Sequence, residues 1–119
     1  MDITRVLSFI TVTFLSLSAS ATSVQPCPRQ ENNPLTSLEV YNGTPAEMFS
    51  LAPDPKDQNN GTWGDLETVY RQARKITVAC GYQNGLLLNV EINNPVTSCS
   101  STDIHGLNIT CQMAPRPRS

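Results

Sequence analysis

The alternation of apolar and polar positions is clearest from Lys75 to Asn93, KITVACGYQNGLLLNVEIN. Two alternating runs flank Gln83-Asn84-Gly85, and this pattern predicts a β-hairpin. Two registers are open to it. A two-residue Asn84-Gly85 turn sets Cys80 opposite Asn89 and Val78 opposite Glu91, which mixes apolar and polar side chains on one face. A three-residue loop sets Tyr82 opposite Leu86, Cys80 opposite Leu88, Val78 opposite Val90 and Ile76 opposite Ile92, which makes one face wholly apolar. A slip of one residue inverts every side chain, so the buried face decides. The three-residue loop is therefore expected, with Gly85 supplying the left-handed residue.

The same reading gives the remaining elements. Leu35 to Tyr41 (LTSLEVY) is a first strand, with Leu38 and Val40 on one face and Glu39 and Tyr41 on the other; Asn42-Gly43 ends it. Thr44-Pro45-Ala46-Glu47 has the form of a capping box with proline at the first helical position, so a short helix burying Met48, Phe49 and Leu51 is expected before Pro53. Asp54 to Gly61 reads as a solvated loop. Thr62 to Arg74 supports two readings. Leu66, Val69, Tyr70 and Ala73 follow helical spacing, with Glu67 and Arg71 placed to pair, while Thr62 to Leu66 also suits a strand carrying Trp63. A strand over 62–67 followed by a turn or short helical piece is expected. Val96 to Ser101 and Leu107 to Met113 form a second hairpin, in which Cys99 faces Cys111, Ser101 faces Ile109 and Thr97 faces Met113.

The N-terminal segment changes the setting. Arg5, the apolar run Val6 to Leu17 and the small-x-small Ala19-Ser20-Ala21 form an export signal, with cleavage expected after Ala21. The run is too short to span a bilayer, which takes about 20 helical residues. Residues 22–34 form a polar, proline-rich extended arm, residues 35–113 a single domain and residues 114–119 a flexible tail. The net charge of −2 gives no basic field for nucleic acid or for a membrane after signal cleavage. An even number of cysteines in an exported chain implies two disulfides. The second hairpin brings Cys99 to Cys111, which leaves Cys27 for Cys80 and ties the arm to the buried face of the main hairpin. Spacings of 53, 19 and 12, with no Cys-x-x-Cys and one histidine, do not form a zinc site.

Candidate chemistry is sparse. His105 lies in the turn segment Asp103-Ile104-His105-Gly106, where Asp and Gly are ordinary turn residues. The cysteines are committed to bridges, and the acidic residues are scattered without a recognisable acid/base pair. Cofactors and metals are not expected. The candidate binding surface is Trp63, the lone tryptophan and mainly a core residue by type, with the basic cluster Arg71, Arg74 and Lys75. Asn-x-Ser/Thr triplets at Asn42, Asn60 and Asn108 carry meaning only in a eukaryotic secretory pathway.

Cys27-Pro28, the strand ending LEVYNGTPAEM, Asn60-Gly61-Thr62-Trp63, Val78-x-Cys80-x-Tyr82 with Gly85 after it, and the closing Cys99 and Cys111 resemble a family of small exported proteins of unknown function in Gram-negative bacteria. Some members lie near type VI secretion genes, and the resemblance implies a role in contact-dependent competition. It carries no catalytic residues. The expectation is a β-rich α+β domain with a small, mostly antiparallel sheet, one short helix and two disulfides. Its expected function is non-catalytic binding of another periplasmic or secreted protein, as by an inhibitor or immunity factor. The competing readings are a small periplasmic hydrolase using spatially gathered carboxylates and an envelope accessory protein.

Overall fold

Residues 22–54 and 61–115 are described by the structure, a computed structural model. The export segment, most of the Asp54 to Gly61 loop including Asn60, and the end of the tail lie outside them. The elements in chain order are β1 (Ser23–Val24), β2 (Leu35–Asn42), a 3-10 turn (Pro45–Glu47), β3 (Ser50–Leu51), β4 (Thr62–Trp63), α1 (Glu67–Arg71), β5 (Ile76–Tyr82), β6 (Leu87–Ile92), β7 (Val96–Thr102) and β8 (Asn108–Met113).

The strand-rich class and both disulfides are as expected, but the strands divide into two antiparallel sheets rather than one. One runs β3-β2-β5-β6 and the other β1-β8-β7-β4. Their inward faces share a single buried cluster. Val40, Ile76, Val78, Cys80, Tyr82 and Ile92 come from the first sheet, and Trp63, Val96, Cys99, Ile109 and Cys111 from the second. Every residue of β5 is buried, because it is central in its sheet and small residues (Thr77, Ala79, Gly81) line its outward face.

The main hairpin has the register that the apolar face demands. Cys80 pairs with Leu88, Val78 with Val90 and Ile76 with Ile92. The loop closes through the Tyr82 N–H donating to Leu86 O, with Gly85 at φ +94°. At the far end Tyr70 completes the ladder: its hydroxyl accepts from the Ile76 N–H at 3.4 Å and donates to Ile92 O at 2.9 Å. Burial pushes this phenol above its ordinary pKa.

Four expectations are corrected. The segment after Thr44 makes only one 3-10 turn, because Met48 adopts the left-handed conformation (φ +62°) and the chain returns to pair Leu51 with Val40. Met48 and Phe49 are consequently exposed rather than buried. The 62–67 strand is limited to Thr62–Trp63; Asp65 at φ +54° breaks it, and Leu66 already has helical geometry. The helical spacing is real, since Leu66 and Val69 are buried, but α1 ends before Ala73, which is exposed at φ +62°. In the second hairpin Cys99–Cys111 and Ser101–Ile109 pair as expected, whereas Val96 takes the place opposite Met113 and a bulge intervenes before Ser98.

The N-terminal arm links the two sheets. Ser23 and Val24 pair with Gln112 and Cys111 as an edge strand, and Cys27 then crosses to Cys80 of β5. The Tyr82 hydroxyl donates to Pro28 O, the Gln83 N–H to Pro34 O, and the Asn84 N–H to the buried Asn33 Oδ1. One end of the two-sheet core is thereby closed by the arm.

Candidate protein-interaction site

The basic cluster leads from α1 into β5, and its three members do different things. Arg71 is exposed, 3.8 Å from Glu67 one turn back along α1. Lys75 is exposed, and its Nζ donates to Asn93 Oδ1 at 3.2 Å. Arg74 reaches across to the turn that follows β2. Its Nε donates to Asn42 Oδ1 at 2.7 Å, and its Nη2 donates to Asn42 O at 3.1 Å and to Glu47 Oε1 at 2.5 Å. Its guanidinium also lies over the Phe49 ring, 5.8 Å from the centroid, within cation–π range.

Glu47 Oε1 is shared. It accepts the Thr44 N–H at 3.1 Å as well as Arg74, which realises the carboxylate half of the capping box. The Thr44 amide first, and the guanidinium second, hold the Glu47 carboxyl below its ordinary pKa. Gly43 sits beneath this pair. Its φ is +98°, and a Cβ there would run into both Glu47 and Arg74. The Thr77 hydroxyl donates to Gly43 O at 2.7 Å, and the Gly43 N–H donates to Lys75 O at 2.8 Å.

The product is a fixed knuckle that points two large apolar side chains outward. Met48 is 80 % exposed and Phe49 is 58 % exposed. Met48 also holds a left-handed backbone that costs a non-glycine residue roughly 1 kcal/mol, so the surrounding contacts impose it. Sequence reading missed both residues by assigning them to a helix face. The signal that points the other way is Gly43 before the turn and Leu51 after it, which together suit a chain doubling back along β2.

At the opposite end lies a cleft of about 370 Å³ between the arm and the β7–β8 tip. Arg29, Asn32, Asn33, Tyr82, His105 and Asn108 are among its lining residues. His105 is exposed in the turn before Gly106 (φ +102°). Among the described residues no group of three or more His, Cys, Asp or Glu converges as metal ligands would.

Trp63 does not belong to a surface site. It is 7 % exposed, packed in the common core, and its Nε1 donates to Leu51 O at 2.9 Å, tying β4 of one sheet to β3 of the other. The four cysteines form Cys27–Cys80 and Cys99–Cys111 and leave no free thiol.

Neither a curated protein nor a solved structure matches the chain. The model of the family described as type VI secretion system Tli immunity protein matches residues 29–113. That span runs from just after Cys27 to the end of β8 and takes in the buried core, the knuckle and all of the cleft's lining except Gln25, Cys27 and Pro28. The chain belongs to the type VI secretion system Tli immunity protein family.

Proposed function

We propose that this chain protects a bacterium from a toxin delivered by a type VI secretion system, and that it acts in the periplasm by binding the toxin without transforming it. The family match over residues 29–113 is the observation that carries this reading. Two disulfides support it, because such bridges persist in oxidising compartments such as the periplasm. A rigid strand scaffold with a presented knuckle suits binding, which requires surface complementarity and no reactive group.

The test is titration. The purified cognate effector is mixed with increasing immunity protein, and its toxic activity is followed together with complex formation by size-exclusion chromatography. Binding predicts that activity falls to zero near one equivalent and that both proteins co-elute. Complete loss at a few hundredths of an equivalent, without co-elution, would replace this reading with an enzymatic one. In cells, a chain lacking residues 1–21 is expected to accumulate without protecting. Protection by that form would place the encounter outside the periplasm.

A further inference from the structure

We infer that the Met48–Phe49 knuckle is the anchor of the immunity complex, inserting into an apolar pocket with an acidic rim on the effector. This rests on the proposed function for the nature of the partner. The geometry supplies the rest. Two adjacent large apolar side chains project from a turn held by four contacts of one arginine and by the Thr44–Glu47 hydrogen bond. Little conformational freedom is left to lose on binding, and such preorganisation raises affinity. Aromatic anchors entering desolvated pockets are the usual hot spots of interfaces. The strained backbone at Met48 serves no burial, since its side chain is the most exposed of the large apolar ones among the described residues.

The neighbours define the pocket. Lys75 immediately precedes β5 beside Gly43, and its charge meets no carboxylate within ion-pair distance among the described residues; Arg74 remains partly exposed beside Phe49. A carboxylate on the partner's rim complements Lys75, whereas the charge of Arg74 is already met by Glu47. Glu39 and Glu47 on the same side oppose an anionic lipid surface, as does the net charge of −2. The other exposed apolar residues, Leu87 and Ile104, do not extend the patch. Leu87 pairs with Gly81, and Ile104 lies in the His105 turn, both toward the Tyr82 end of β5, whereas Asn42 beside the knuckle pairs with Ile76 at its start.

The experiment compares binding of the purified effector by the wild-type chain, Met48→Ser/Phe49→Ser, Lys75→Glu and the distal control Leu87→Ser, with thermal unfolding of each. Wild-type binding is measured first; its absence overturns the proposed function itself. Given binding, the double variant is expected to weaken affinity at least roughly 30-fold, the factor that marks a hot spot, with a melting temperature lowered by no more than a few degrees through loss of the Arg74–Phe49 contact. Lys75→Glu is expected to slow association several-fold, most strongly at low salt. Leu87→Ser is expected to bind as wild type. Equal binding by the double variant, or equal weakening by Leu87→Ser, overturns the anchor. So does wild-type binding to vesicles of anionic phospholipid that the double variant loses, or a wild-type dimer that the double variant converts to monomer.

Discussion

The two ends of β2 solve the same problem by opposite means. At the Leu35 end the chain is closed covalently: Cys27 joins Cys80, the arm packs over Tyr82, and Leu35, Pro26 and Asn33 are wholly or partly withdrawn from water. At the Asn42 end there is no bridge and little burial. The turn is held by directional polar contacts centred on Arg74, and Met48 and Phe49 stand in solvent. An apolar side chain that holds a fold together must be buried, so it is unavailable to a partner. Where charge-assisted hydrogen bonds fix the backbone, the apolar groups are released for recognition. The two ends should therefore respond differently to substitution.

The largest effect is expected from opening the covalent end. Cys27→Ser/Cys80→Ser removes a bridge that closes a loop of 53 residues, worth about 4 kcal/mol in the chain-entropy model. This approaches the whole net stability of a small domain, about 5–15 kcal/mol. Thermal unfolding should show a melting temperature lower by roughly 20 °C, or no cooperative transition. A shift of only a few degrees would mean that β1 and the Tyr82–Pro28 hydrogen bond hold the arm unaided. Next comes the shared middle. Ile76 is fully buried in the common core, and Ile76→Ala should cost about 2–5 kcal/mol by chemical denaturation.

The same contrast explains what could be read from the residues. The β5–β6 register was legible because only one pairing places Ile76, Val78, Cys80 and Tyr82 on a common apolar face, while the disulfide pairing followed from the second hairpin, where Cys99 faces Cys111 and Cys27 is left for Cys80. The knuckle was not legible, because its conformation is imposed by Arg74, 27 residues after Glu47. A local capping pattern indicates that a turn begins at Pro45, but it does not say that the turn stops after Glu47. Thr62 to Arg74 was ambiguous because both signals are true in succession: Trp63 obeys strand pairing, and Leu66, Val69 and Tyr70 obey helical spacing. The two-residue β1 lies below the length at which alternation carries information. Of the candidate surface, Arg74 and Lys75 border the knuckle, while Trp63 lies in the core.

A smaller effect is expected from removing the polar clamp. Arg74 is partly exposed, so its contacts are weakened by solvent, and Arg74→Ala should cost about 1–2 kcal/mol. Arg74→Lys should lose most of the same amount, because an ammonium cannot span Asn42 and Glu47 with a planar fork. Full rescue by lysine would show that charge alone holds the turn. Met48→Gly should be nearly silent in unfolding, within about 0.5 kcal/mol. Relief of the left-handed backbone offsets the added freedom of the unfolded chain.

The smallest effect is a pH dependence confined to the knuckle, and its sign follows from Glu47. Its carboxyl is held below its ordinary value of 4.5, first by the Thr44 N–H and then by Arg74. A carboxyl with a lowered folded-state pKa contributes its stabilisation above the unfolded-state value and loses it as pH falls through the folded-state value. Between pH 6 and 8 nothing should change. Below the ordinary carboxylate range the Thr44–Glu47–Arg74 contacts should weaken while the core, which they do not touch, stays folded. Hydrogen exchange at the Thr44 amide is the direct reporter, and it should lose protection on acidification earlier than Val78 in the centre of β5. Glu47→Gln separates the two causes. The amide oxygen can still accept from Thr44, but the charge that draws Arg74 is gone. This variant should show no such titration, and its stability deficit relative to wild type should shrink towards zero as pH falls. A deficit of equal size at neutral and acid pH would show that Glu47 acts by shape alone, and that uncharged contacts rather than its charge hold the knuckle.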